Sequence, residues 1–182
     1  MCLYLCVFLN SSMPRNVEIK ARVSNLKEMT DKAQVLANDV GTVIQQEDTF
    51  FKVPNGRLKL RKLDNEPGVL IQYDRDDQLG PKLSNFNIAR VEDVEAMKTV
   101  LSAALGVRGT VKKSRQLIIF EQTKIHLDQV EGLGEFIELE VILRDDQTEE
   151  EGHLIVRDIM KTLGISNDDL LDCAYMDMLS NA

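Results

Sequence analysis

Val17-Glu18-Ile19-Lys20-Ala21-Arg22, followed by Val23, alternates strictly between apolar and charged residues. Successive side chains of a strand point to opposite faces, so one face here carries acid, base, base and the other carries core. Three later segments repeat the alternation with their charges sorted by sign. Arg57-Leu58-Lys59-Leu60-Arg61 and Lys113-Ser114-Arg115 are basic, and Glu138-Leu139-Glu140 is acidic. One such strand is an ordinary wet face. A solvated sheet mixes signs, however, because like charges directly across strands cost about 0.2–1 kcal/mol per pair. Several unmixed blocks therefore point to one surface that sets clustered cations beside clustered carboxylates, which a polyphosphate with a divalent metal would neutralise.

The 182 residues suit a single domain. A net charge of -8 argues against a general nucleic-acid binder. The acids concentrate late, with ten between residues 144 and 182 against Arg144, Arg157 and Lys161, whereas Arg57 to Lys62 holds four bases and no acid. An acidic chain that gathers its bases on a few strands reserves them for a local anionic partner. Cys2, Cys6 and Cys173 make neither a metal spacing nor a secreted disulfide framework, so a reducing, cytoplasmic setting is expected. Residues 1–12 are apolar for nine positions, too short to span a bilayer and without a basic leader. With Met13 next, they read as an extension outside the fold, leaving 13–182 as the domain.

Turn and helix signals divide the rest. Ser24 caps an expected helix to Asn38, with Leu26, Met29, Ala33 and Leu36 at helical spacing and Gly41 as the stop. Strands run from Ile44 to about Ile88, punctuated by Pro54-Asn55-Gly56, Asn65-Glu66-Pro67-Gly68 and Gly80-Pro81. A helix covers Glu92–Leu105; strands resume near Val107 and finish with Phe136–Leu143. A third helix spans about Thr148–Leu163, and a short one starts at Asn167. The fold class expected is α+β, an antiparallel eight-stranded β-barrel with helices packed outside and polar strand faces lining its interior.

Glu138 and Glu140, about 6.5 Å apart on one strand face, can share a hard cation with Glu18, and such oxygen ligands suit Mg²⁺ or Mn²⁺. Asp128 either joins them or caps the turn at Gly132. His126 shares its strand phase and reads first as a structural histidine. No nucleophile–histidine arrangement, GxxxxGK loop or Rossmann glycine pattern is present, so phosphate binding must use side-chain cations.

From Arg15 to Leu179 the chain resembles the CYTH family, also called triphosphate tunnel metalloenzymes, which groups class IV adenylate cyclases with thiamine and inorganic triphosphatases. The resemblance rests on residues 17–22, Leu58-Lys59-Leu60-Arg61, Gly80-Pro81-Lys82-Leu83-Ser84, residues 111–115 and residues 125–140. It implies that Glu18, Glu138 and Glu140 bind metal, with Asp128 as a further candidate. It also implies that Lys20, Arg22, Lys59, Arg61, Lys82, Lys113 and Arg115 hold the triphosphate, with Arg57 and Arg75 as weaker additions. Glu18, Lys20 and Glu138 would be the catalytic group. The family's opening motif is Glu-x-Glu-x-Lys, and Asn16 stands here for its first Glu.

The expected function is a metal-dependent hydrolase of tripolyphosphate, thiamine triphosphate or a nucleoside triphosphate. Its partner would be that small molecule, with no nucleic acid or membrane, in a monomer or homodimer. A class IV adenylate cyclase is the alternative: Gly132-Leu133-Gly134-Glu135-Phe136 leans that way, whereas Glu140 and an aromatic content of only 5% favour hydrolysis. A non-catalytic polyphosphate-binding module is the third reading.

Overall fold

The alternating strands close on themselves. In the computed structural model, which describes residues 15–64, 66–75 and 78–180, the strands are β1 (Arg15–Arg22), β2 (Thr42–Phe51), β3 (Arg57–Leu63), β4 (Glu66–Arg75), β5 (Lys82–Val91), β6 (Val107–Phe120), β7 (Thr123–Val130) and β8 (Gly134–Ile142). They form a closed barrel in the order β1-β5-β4-β3-β2-β6-β7-β8, every pairing antiparallel. The extension at residues 1–12 lies outside the described residues. Among them, no helix is long and apolar enough to cross a membrane.

On β1, β3, β7 and β8 the apolar face points out of the barrel and is covered by helices. Val17, Ile19 and Ala21 of β1 join Ile125, Leu127, Ile137, Leu139 and Val141 of β7 and β8. Over them pack α1 (Leu26–Ala37) and α3 (Glu149–Leu163), the latter through Val156, Ile159, Met160 and Leu163. At Gly152 of α3 an added Cβ would lie 2.6 Å from Val17 Cγ2 and 2.7 Å from Leu143 Cδ2, so the helix needs a glycine to approach β1 this closely. Across the barrel, α2 (Val94–Leu105) lays Val94, Met97 and Leu101 on Phe51, Leu60 and Val91.

The helix boundaries follow their caps. α3 carries the Thr148–Glu151 capping box and stops at Gly164 in the left-handed conformation. α2 starts after Asp93, whose side chain accepts from Ala96 N–H. For α1 the cap is Asn25, not Ser24: Asn25 is extended and its Oδ1 accepts from Glu28 N–H at 3.1 Å. The helix ends at Asn38, itself left-handed at φ 49°, three residues before Gly41.

The C-terminal segment does more than the expected short helix. Asn167–Asp169 is a single 3-10 turn. Leu171 N–H then donates to the Lys20 carbonyl at 2.8 Å, and α4 (Tyr175–Ser180) inserts Tyr175 and Met176 into one end of the barrel. There they meet Phe50, Val111, Val130 and Phe136 in an apolar plug. Asp177 fastens α4 by accepting from Arg57 at 3.3 Å and from Arg108.

Candidate active site in the barrel interior

The register sets the inward charges in rungs. Glu18 of β1 lies opposite Glu140 of β8, which lies opposite Lys124 of β7; one rung along, Lys20 faces Glu138, which faces His126. On the other side, Asp48 of β2 sits opposite Arg61 of β3, and Arg115 of β6 opposite Asp128 of β7. Strict alternation on eight strands thus delivers the polar residues to one cavity of about 990 Å³, counting the part open to solvent.

Most of these charges are buried, and they pair. Lys20 Nζ donates to Glu138 Oε1 at 2.8 Å and stands 4.1 Å from the centre of the Tyr175 ring. Arg115 grips Asp128 with two bonds of 2.6 Å and reaches Glu138 Oε2 at 2.7 Å. Asp128 also accepts from Lys113 at 3.1 Å and from the Tyr175 hydroxyl at 2.9 Å. Arg61 is bidentate on Asp48 at 2.8 and 2.9 Å, with Lys59 at 3.4 Å. Arg75 pairs with Glu18.

Burial opposes ionisation of Asp48, yet Arg61 and then Lys59 outweigh it and hold the carboxyl well below its ordinary range. The same contest, won by Arg115 and Lys113, lowers Asp128, and against burial it is Lys20 first that lowers Glu138. Glu18 goes the other way: burial raises it, Arg75 opposes, and the Glu138 and Glu140 charges add to the rise. Burial, then Arg115, pushes Lys113 down to about 7. Burial and Arg115 also bring His126 down to about 4, so it is neutral at pH 7.

The interior therefore brings together Glu18, Lys20, Lys59, Arg61, Lys113, Arg115, Glu138 and Glu140. Three predicted residues stand apart. Arg22, at the end of β1, is exposed and lies over the Phe136 ring at 5.4 Å. Lys82 is buried, but its ammonium donates to the carbonyls of Gln78, Leu171 and Asp172, tying down the C-terminal segment. Asp128 spends its oxygens on Arg115, Lys113 and Tyr175, which makes it a holder of cations. Of the weaker candidates, Arg57 goes to Asp177, whereas Arg75 lines the cavity.

Sequence reasoning missed Asp48, Lys124 and Tyr175. Asp48 follows Glu47 and resembles half of a solvated acidic pair until Arg61 is seen opposite. The aromatic count also misled. Few as they are, Phe50, Tyr73, Phe86 and Tyr175 all line the cavity, and Val69, Ile71 and Ile88 extend an apolar wall along β4 and β5. The interior is thus two-sided, charged on β1, β2, β3, β6, β7 and β8 and largely apolar on β4 and β5.

The donors fit the divalent metal that the resemblance implies. Ligand atoms of His126, Glu138 and Glu140 lie within 4.8 Å of one another. Asn16, in place of the motif's first Glu, is buried in the cavity wall with its Oδ1 unbonded. Oxygen-rich donors with a buried vacant lone pair are what such an ion requires.

Known proteins share this arrangement of chain. The putative adenylate cyclase MJ0240 of Methanocaldococcus jannaschii is 25% identical over 175 residues, covering 89% of this chain and 97% of that one. The PH1012 protein of Pyrococcus horikoshii OT3 superposes with a TM-score of 0.79 at 26% identity, over 89% of this chain and 98% of the other. A Vibrio parahaemolyticus structure titled as a putative adenylate cyclase shares the fold, with a TM-score of 0.76 at 17% identity over 93% and 99% of the two chains. The CYTH domain profile matches residues 14–175. With the closed barrel and its charged interior, that match places the chain in the CYTH domain family.

Proposed function

We propose that this protein is a metal-dependent triphosphate hydrolase. The observation that carries the reading is the convergence of Lys20, Lys59, Arg61, Lys113 and Arg115 on the cavity that also holds Glu18, Glu138 and Glu140. Among the described residues, cations outnumber carboxylates there, so the interior is matched to a net anion such as a triphosphate with one divalent ion. The lysines and arginines clamp the phosphate oxygens and stabilise the charge that builds on them, and preorganised donors in a water-poor site do this without reorganisation. To bind, the phosphates take over Arg61 from Asp48 and Lys20 from Glu138, exchanging one set of charge-assisted bonds for another.

Glu138 and Glu140 would hold the metal, with Glu18 beside them; once bound it would supply Lewis-acid polarisation of the terminal phosphoryl group. Glu18, whose carboxyl is raised, orients a water for in-line attack and accepts its proton. The water oxygen bonds to the terminal phosphorus, and the bridging oxygen leaves with the electron pair on the diphosphate.

One observation favours a second reading. The apolar and aromatic wall of β4 and β5 suits an organic group on the triphosphate, and the Methanocaldococcus jannaschii relative is named a putative adenylate cyclase. In that reading a ribose hydroxyl replaces water and pyrophosphate leaves. Purified protein with Mg²⁺ or Mn²⁺, offered tripolyphosphate, thiamine triphosphate and ATP separately, separates the readings by phosphate release against cyclic AMP. Neither product from any of the three would overturn both.

A further inference from the structure

His126, opposite Glu138 on the inward phase of β7, is buried with both ring nitrogens lacking a hydrogen bond among the described residues. It is 1% exposed. Its Nδ1 points at two carboxylates, 3.7 Å from Glu138 Oε2 and 3.6 Å from Glu140 Oε1, too far for hydrogen bonds. A core histidine that merely fills space normally bonds through at least one nitrogen, since a polar group buried unpaired loses its hydration with nothing in return. Here the unpaired imidazole faces two acids, and an ion bound among them must displace Arg115 from Glu138 Oε2.

One divalent ion satisfies all three side chains. Two ligand atoms about 2.1 Å from the same ion at a tetrahedral angle lie about 3.4 Å apart. The observed 3.6 and 3.7 Å are within a few tenths of that spacing, and small carboxylate rotations close the gap. We propose that His126, Glu138 and Glu140 form a nitrogen-containing metal site selective for first-row transition ions over Mg²⁺. The selectivity is chemical: Mg²⁺ takes hard oxygen ligands and rarely imidazole, whereas imidazole suits Fe, Ni, Cu and Zn ions, and Mn²⁺, though at home with carboxylates, also accepts it. The site shares Glu138 and Glu140 with the proposed reaction. Its test measures no turnover, so the two readings fail separately.

The second of the chain's two histidines, His153, lies 3.4 Å from Glu149 on the outer helix and would confuse the readout. The experiment therefore uses the full chain with His153→Gln. Loaded with one equivalent of Mn²⁺, this protein should show electron spin-echo modulation from a directly bound imidazole ¹⁴N. Calorimetry should show Mn²⁺ preferred to Mg²⁺ by about tenfold or more. Adding His126→Gln should abolish the ¹⁴N modulation and reduce the preference by about fivefold or more, with Mg²⁺ affinity little changed. Mn²⁺ bound without ¹⁴N modulation, or no Mn²⁺ bound at all, overturns the site. The spin-echo measurement is made on a chain that keeps His126, so it decides the matter even if His126→Gln does not fold.

Discussion

Replacing Asp48 by Asn tests whether the interior cations depend on built-in counter-ions. Asp48 is 3% exposed, accepts two bonds from Arg61 at 2.8 and 2.9 Å, and has Lys59 at 3.4 Å. Asn keeps the shape but loses the charge, and turns an amide donor toward a guanidinium that cannot accept. Removing one partner of a buried pair costs about 3–5 kcal/mol, and the oxygen that Asn retains puts this case near the lower bound. In a domain of this size each kcal/mol moves Tm by about 2–4 °C, so calorimetry at neutral pH should show a fall of roughly 6–12 °C. The folded carboxyl is depressed, so its contribution is complete above the ordinary value of 3.8 and fades as the pH falls below it. The difference between wild type and variant should therefore shrink in acid. Binding should respond oppositely. Tripolyphosphate must displace Asp48 from Arg61 in the wild type and meets no such competitor in the variant, so it should raise the variant's Tm by more than the wild type's. A variant with wild-type Tm and a wild-type response to tripolyphosphate would refute the reasoning.

Glu140→Ala should abolish metal-dependent phosphate release while leaving Tm near wild type. Glu138→Ala should also abolish it but lower Tm, because Lys20 loses the carboxylate it donates to and Arg115 keeps only Asp128; full turnover in both would exclude the proposed site. Lys113 sits at about 7, through burial and then Arg115, and a phosphate beside it would raise it. Binding above pH 7 then takes up a proton, and triphosphate affinity should fall with rising pH, by up to about tenfold per unit; calorimetry in buffers of different ionisation heat at pH 8 would detect that uptake or its absence. Gly152→Ala gains roughly 1 kcal/mol of helix propensity but drives a methyl into Val17 and Leu143 at a cost of about 1–3 kcal/mol. Melting should show a net loss, and turnover per folded molecule should not change.

The period of two along β1, β3, β6 and β8 made the barrel legible, because alternation assigns every residue of a strand to a face before any partner is known. It does not report how far a side chain travels once inside. Lys82 is on the inward phase of β5, yet its ammonium is taken by carbonyls of a segment some 90 residues later. Arg22 has the inward parity of Lys20 but is the last residue of its strand and clears the rim. Tyr175 left no trace in the pattern, since it enters from α4 and owes its place to Gly109, where a Cβ would fall 2.6 Å from Met176 Sδ. The aromatic percentage misled for a similar reason: composition counts rings without locating them, and four of them share one cavity.

β1 sits between β5 and β8 in the closed barrel, and its Lys20 meets Glu138 across 118 residues of sequence. A ribosome therefore presents the first half of the anion clamp long before the second half exists. Until β8 has left the exit channel, the nascent sheet is open along β1, with Val17, Ile19 and Ala21 uncovered and Lys20 without its acceptor. Long-range closure of this kind is slow, and a chain stalled before β8 carries an unpaired, sticky edge that chaperones must shield. The proposed triphosphate site draws on both ends of the chain, so a growing chain would lack that ligand as a guide to its folding.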